Sequence, residues 1–176
     1  MQTHASSIEE VCAMSQIKQY EESILQSISK MVELVKDLPE EQIRWKPSAE
    51  EWSIMETLCH VEEAVYYWLD ELERVVANPG EWGRGLQDEK RLAAVAAADQ
   101  TDVADIISRV EKTQSRVKET FSKLKEEDLN IEAPHRNPKF GVKPMRFLVE
   151  HFLVEHMDIH VKQIQRVMGQ YKERHS

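Results

Sequence analysis

Four stretches of this chain repeat apolar residues at the spacing of one helix face, and no strand alternation competes with them. Over 14–36 the apolar positions are Ile17, Ile24, Leu25, Ile28, Met31, Val32 and Val35. Over 54–77 they are Leu58, Val61, Val65, Trp68, Leu72 and Val76. A third segment begins after Thr101 or Asp102 and reaches about 125, turning Val103, Ile106, Ile107, Val110, Val117, Phe121 and Leu124 inward. The fourth covers 144–169 and opens on Pro144, a favoured first-turn residue. Segments of roughly 22–26 residues make rods of roughly 33–39 Å at 1.5 Å per residue. Four such rods, each with one apolar stripe, bury it most simply as an all-α four-helix bundle. Five glycines and six prolines in 176 residues are too few for the turns of an all-β chain.

The punctuation between the rods defines one domain over 14–170, with a loose lead-in at 1–13 and a short tail at 171–176. In DLPEEQIRWKPSAEEW, two prolines break the helical pattern, PEEQI suits one short turn, and Ser53 with Glu56 three residues on reads as an N-cap. Asn78-Pro79-Gly80 ends the second rod. Beyond it, NPGEWGRGLQDEK is loop-like, and RLAAVAAADQ is either a short helix or more of a long connection. The last connection carries Pro134, Pro138 and Gly141. All three connections are long, so helix direction stays open.

Charge and cysteine content narrow the setting. With 23 basic and 32 acidic residues the net charge is −9, which repels phosphate backbones unless basic residues gather locally. Lys118, Lys123 and Lys125 are interleaved with Glu119, Glu126 and Glu127, and Arg166, Lys172 and Arg174 read as a solvated face, so no nucleic-acid partner is expected. No apolar run approaches the roughly 20 residues that cross a bilayer, and the N-terminus lacks a secretion signal, so no membrane partner is expected. Cys12 and Cys59 lie far apart without a CxxC spacing, which fits a reduced, cytoplasmic protein.

The anomaly is in the fourth segment. At about 100° per residue, Met145, Val149, Phe152, Leu153, His160, Ile164 and Val167 fall within about 80° of His156. Two imidazoles at i, i+4 therefore occupy the middle of a stripe that should be apolar. Buried there, each needs a partner for its ring nitrogens, and their spacing lets both reach one metal ion. HMDIH lacks the glutamate of the HExxH protease motif, so a zincin is not expected. His151, about 140° away, reads as a surface histidine. His4, His135 and His175 sit in terminal or loop contexts and read the same way. A third ligand must come from another helix. His60 is the one histidine placed mid-helix there, about 120° from the centre of its apolar arc, so it points either at a neighbouring helix or at water.

The segment LPEEQIRWKPSAEEWSIMETLCHVEEA, followed some 90 residues later by FLVEHMDIHVKQI, resembles the DinB/YfiT-like superfamily of metalloenzymes. The resemblance spans about 14–170 and rests on Trp45 and Pro47, the Trp52-Ser53-Ile54 helix start, His60, and the HxxxHxxQI ending of His156, His160, Gln163 and Ile164. It implies a four-helix bundle whose metal is held by His60, His156 and His160. Many members read HExHHxGQI; here Met157 and Ile159 fill two of those slots and Lys162 replaces the glycine, which leaves subfamily and substrate open.

Three neutral imidazoles leave a divalent ion an open position, which favours chemistry over a closed structural site. Such an ion lowers the pKa of bound water or of a thiol, so the resemblance implies either hydrolysis or transfer of a low-molecular-weight thiol cosubstrate to a small-molecule substrate. Zinc is the first expectation and nickel the second. Gln163, seven residues past His156 and about 20° from it, suits a hydrogen bond to a ligand ring or substrate, and Glu63 and Tyr67 share the His60 side of their helix. Cys59 points about 100° away from His60 and reads as a small buried apolar residue. A different class of reading, a non-catalytic metal-binding bundle acting through dimerisation or partner binding, rests on Trp82 and the apolar RLAAVAAA stretch. A homodimer is compatible with the resemblance, since related bundles often pair.

Overall fold

The computed structural model describes residues 14–176; the lead-in expected at 1–13, with His4 and Cys12, lies outside the described residues. Local chemistry sets where the rods start. The Ser15 hydroxyl accepts from the Lys18 N–H at the head of α1 (Gln16–Val35). A short α2 (Glu40–Arg44) follows in the proline-bounded connection. The Ser53 hydroxyl then accepts from the Glu56 N–H at 3.0 Å and opens α3 (Ile54–Ala77). Asp88 caps α4 (Glu89–Ala96), which runs into a 3₁₀ turn at Ala97–Gln100. Asp102 caps α5 (Val103–Lys123). Satisfying one otherwise orphaned N–H by such a cap contributes about 1 kcal/mol.

The last rod is composite. After a 3₁₀ turn at Glu126–Asn130, β1 (Glu132–Pro134) pairs antiparallel with β2 (Val142–Pro144), placing Ala133 opposite Lys143. The chain then enters α6 (Met145–Phe147), widens into a π-helical segment (Leu148–Glu155), and returns to α-helix in α7 (His156–Arg174). Helix thus continues into the expected tail at 171–176. Lys172 and Arg174 in its last turn complement the helix dipole. The hairpin is absent from the sequence expectation because three-residue strands are too short to show alternation.

The rods pack α3 on α5, α5 on α1, α1 on α7 and α7 on α3, so α1 and α3 lie across a diagonal. A diagonal step needs a long connection, which accounts for the 18 residues from 36 to 53. Ile24, Ile28, Met31, Leu58, Val65, Leu72, Ile106, Val110, Val117, Leu153 and Ile164 are fully buried between them. Each such side chain contributes roughly 1.5–3 kcal/mol by leaving water.

In the connection over 78–102, Leu86 and Leu92 are exposed and α4 has no buried residue, but Trp82 is held inside. Trp82 is fully buried, so it does not offer the partner-binding face expected of it. Its backbone N–H donates to Pro134 O at 3.1 Å and its indole N–H to Ala133 O at 3.0 Å, while its own carbonyl accepts from the Arg136 N–H at 2.8 Å. These bonds clamp the connection onto β1. They also bury His135, expected on the surface, at 5% exposure, with its ring 4.5 Å from the Trp82 ring. A loop position gave no hint of that contact, which joins residues more than 50 apart in the chain. At Gly83 the backbone adopts φ +91°, and a Cβ there would lie 2.2 Å from His135 Nε2. Replacing Gly83 with alanine should therefore destabilise the fold by about 2 kcal/mol or more, from left-handed strain and this clash together. Urea unfolding would check it, and an unchanged midpoint would contradict the clamp.

Candidate metal centre

Three histidines from two rods meet in one place. His60 comes from the second turn of α3, His156 is the first residue of α7, and His160 lies one turn further on. His60 Nε2 is 3.2 Å from His156 Nε2, and His160 Nε2 is 2.8 Å from His156 Nε2. The three ligating atoms all lie within 4.8 Å of one another. His60 and His160 are only 2% and 6% exposed. The helical wheel puts His60 at the edge of its stripe, yet it is buried, because α7 and two connections close over that edge. The ring of Trp52, just before α3, stands 5.1 Å from the His60 ring, and α4 packs along α3.

The outer ring nitrogens set the tautomers. His156 Nδ1 is 3.2 Å from the carbonyl oxygen of Phe152, which has no proton to give, so Nδ1 carries the hydrogen and donates it. His160 Nδ1 donates likewise to Gln163 Oε1 at 2.8 Å. Both rings therefore turn an Nε2 lone pair inward, and those lone pairs face each other at 2.8 Å with no proton between them. Neutral imidazoles in this state repel, and a cation between them relieves the repulsion. His60 Nδ1 is buried without a hydrogen-bond partner among the described residues.

Protonation is not an available relief. Burial first, then the charge that neighbouring imidazoles would carry, pushes His60 down to about 2. The same two causes, burial leading, bring His156 down to about 3, and burial also lowers His160. Lowered pKa values of this kind keep all three rings neutral at pH 7, the state in which imidazole binds metals.

A cavity of 190 Å³ opens on the cluster, lined by His60, His156, Trp68, Phe152, Arg84, Gly85, Leu86, Arg91, His151 and Ile159. Arg84 forms its wall. Its guanidinium donates to both Glu63 oxygens at 2.6 Å and to Asp88 at 3.2 Å, and it lies 3.9 Å over the Tyr67 ring. Glu63 and Tyr67 thus hold Arg84 and do not touch an imidazole. Burial pushes the Tyr67 hydroxyl up to about 12, so it stays protonated. His151 is exposed, as expected, but stands at the cavity mouth with Nδ1 3.1 Å from a Glu155 oxygen. Cys59 is buried, and its thiol, raised by burial, is influenced by Arg109 and Thr101 rather than by the imidazoles. Sequence reasoning missed Arg84, Arg91 and the site role of Trp52. The arginines lie in the aperiodic stretch GRGLQDEKR, whose composition says loop and nothing about where the loop folds.

Fold and site together define a four-helix bundle whose second and fourth rods bring three imidazoles into contact, His60 and His160 buried and His156 half-buried. Residues 24–164 match the DinB superfamily, and the chain belongs to that family. Its structure is similar to that of YfiT from Bacillus subtilis, described as "a probable metal-dependent hydrolase with an unusual four-helix bundle topology". The TM-score is 0.75 at 11% sequence identity, covering 92% of this chain and 91% of YfiT, a likeness of fold. No curated protein matches the sequence.

Neutral burial has a stability signature. Histidines in the unfolded chain titrate near pH 6.5, while His60, His135, His156 and His160 are all lowered in the folded state. Below pH 6.5 the unfolded chain takes up protons that the folded chain refuses. Stability is therefore fully present above that pH and falls as pH drops towards the folded values. The slope is up to ~1.4 kcal/mol per pH unit for each histidine. Urea unfolding in a chelating buffer should show a plateau from pH 7 to 8 and a loss between pH 6.5 and 5.5. A stability that holds level down to pH 5.5 would contradict neutral burial.

Proposed function

We propose that this chain is a metal-dependent hydrolase of a small molecule. One divalent ion, zinc before nickel, is held by the Nε2 atoms of His60, His156 and His160. The observation that supports this most is the 2.8 Å approach of two inward lone pairs whose rings have already committed their protons outward. When bound, the ion supplies Lewis acidity and a lowered pKa for water at the position three protein ligands leave open.

The chain's own residues supply the rest. The Phe152 carbonyl and Gln163 fix the ring orientation of His156 and His160, the role outer partners of metal-binding histidines serve. Trp52, Trp68 and Phe152 present apolar faces around the cluster and limit water access. His151, with Glu155 accepting from its Nδ1–H, is placed at the cavity mouth to take and return a proton through Nε2. The likeness to YfiT favours hydrolysis. Thiol transfer would use the same open position, and no residue in the cavity is specific to it. The alternative of a non-catalytic bundle acting through partners loses Trp82, which is buried, and keeps the RLAAVAAA stretch, where Leu92 is exposed.

Substituting His156 with alanine should abolish stoichiometric zinc uptake while helical circular dichroism persists; undiminished uptake would remove the proposal. Gln163→Leu should keep one zinc per chain but weaken its affinity by roughly 10–100-fold, as loss of an outer partner does. Zinc-loaded protein prepared without an affinity tag should hydrolyse members of a small ester and amide panel with no added thiol. Turnover that requires a low-molecular-weight thiol and yields its adduct would replace hydrolysis by transfer.

A further inference from the structure

Two guanidiniums line the cavity beside the imidazoles, and they are not equivalent. Arg84 is fully engaged by Glu63, Asp88 and the Tyr67 ring. Arg91, the third residue of α4, donates from one nitrogen to Leu86 O at 3.0 Å and has no carboxylate at ion-pair distance among the described residues. Arg44, Arg74, Arg84, Arg109, Arg116 and Arg136 each sit against a carboxylate, and of the arginines that do not, Arg91 is the one that lines this cavity. Arg91 is also partly buried, and desolvation together with the Arg84 cation lowers its pKa. Its guanidinium carbon stands 5.5 Å over the Trp52 ring, and that ring is 5.1 Å from His60. A partly buried cation with no direct carboxylate partner among the described residues therefore opens onto the same cavity as the histidine cluster.

We infer that the substrate of this site carries a carboxylate, and that Arg91 receives it while the rest of the molecule lies towards the imidazoles. This deepens the reading of the cavity as the reaction site and rests on it. A planar guanidinium with free donors matches a carboxylate's two oxygens. A single guanidinium without a direct carboxylate partner suits a monoanion. Glu63 and Asp88, whose negative charges reach Arg91 from the Arg84 side, oppose a dianion such as phosphate. The remaining lining, Trp68, Phe152, Leu86 and Ile159, suits an apolar or aromatic body behind the acid, and 190 Å³ limits its size.

The test uses zinc-loaded, untagged protein titrated with benzoate, phenylacetate and 3-phenylpropionate, each paired with its neutral amide and followed by tryptophan fluorescence and calorimetry. At least one acid should bind about tenfold tighter than its amide, the scale of a charge-assisted hydrogen bond. Arg91→Gln should erase that preference and Arg91→Lys should retain part of it, with zinc content unchanged in both. The preference should also survive chelation of the zinc. The inference is overturned if no acid outbinds its amide, if Arg91→Gln keeps the preference, or if the preference disappears with the metal, since a carboxylate would then be ligating zinc. Should Arg91→Gln fail to fold, Arg91→Lys decides, because a preference there equal to wild type shows no dependence on guanidinium geometry. Failure of the wild type to take up zinc would count against the hydrolase reading alone, because the acid–amide comparison runs equally on metal-free protein.

Discussion

Two inward-facing lone pairs on neutral imidazoles, His160 buried and His156 half-buried, are the constraint around which this molecule is arranged. Such a contact is repulsive in isolation, and burial denies the rings the protons that would relieve it. The surroundings enforce the conflict. Phe152 and Gln163 take up the outer N–H groups of His156 and His160, and among the described residues no carboxylate joins the cluster to stabilise an imidazolium. A divalent cation would resolve the arrangement, and neutral ligands would leave that cation its full charge. Arg84 and Arg91 line the same cavity, and a divalent cation at the cluster would add positive charge to a chain of net charge −9 and favour an anionic guest.

Aromatic packing ties the long connections to this centre. Phe152 stacks on Trp68 at 4.1 Å and meets the edge of Trp82 at 5.7 Å, while His135 lies parallel to it at 5.7 Å. The residue whose carbonyl orients His156 is thus held by the tryptophan that clamps the 78–102 connection to β1. Gly83 follows that tryptophan, and Arg84 follows Gly83. A single local geometry therefore positions both the cavity wall and one of the hydrogen bonds behind the cluster. Phe152 also belongs to the π-helical segment, a feature frequent at functional sites, and the chain returns to α-helix at His156.

The rods were legible because each buries one stripe of a regular helix, and period is what a sequence displays. Ser53 and Asp102 marked their starts because capping chemistry is local. His156 and His160 were legible for the same reason: both belong to α7, where the 3.6-residue period holds, and they interrupt an apolar face. His60 was only half legible. The wheel records where apolar neighbours lie on its own helix, and it places His60 at the margin of the stripe. What buries it is the pair of imidazoles on α7 together with Trp52 and the 78–102 connection, none of which its own helix can record. His135 and Trp82 fail for a related reason, since a contact between two loops leaves no mark on either. Arg84 and Arg91 carry ordinary loop and helix-start chemistry, and only the path of the connection gives them a site.

X-ray absorption at the metal edge, on protein prepared without an affinity tag, tests the central claim most directly. Convergence of His60, His156 and His160 on one ion predicts about three imidazole nitrogens at roughly 2.0–2.1 Å, with the outer-ring scattering that marks histidine. The His60→Ala variant should lose one of them. A first shell without histidine scattering, or one identical in wild type and His60→Ala, would contradict a centre built from the two rods.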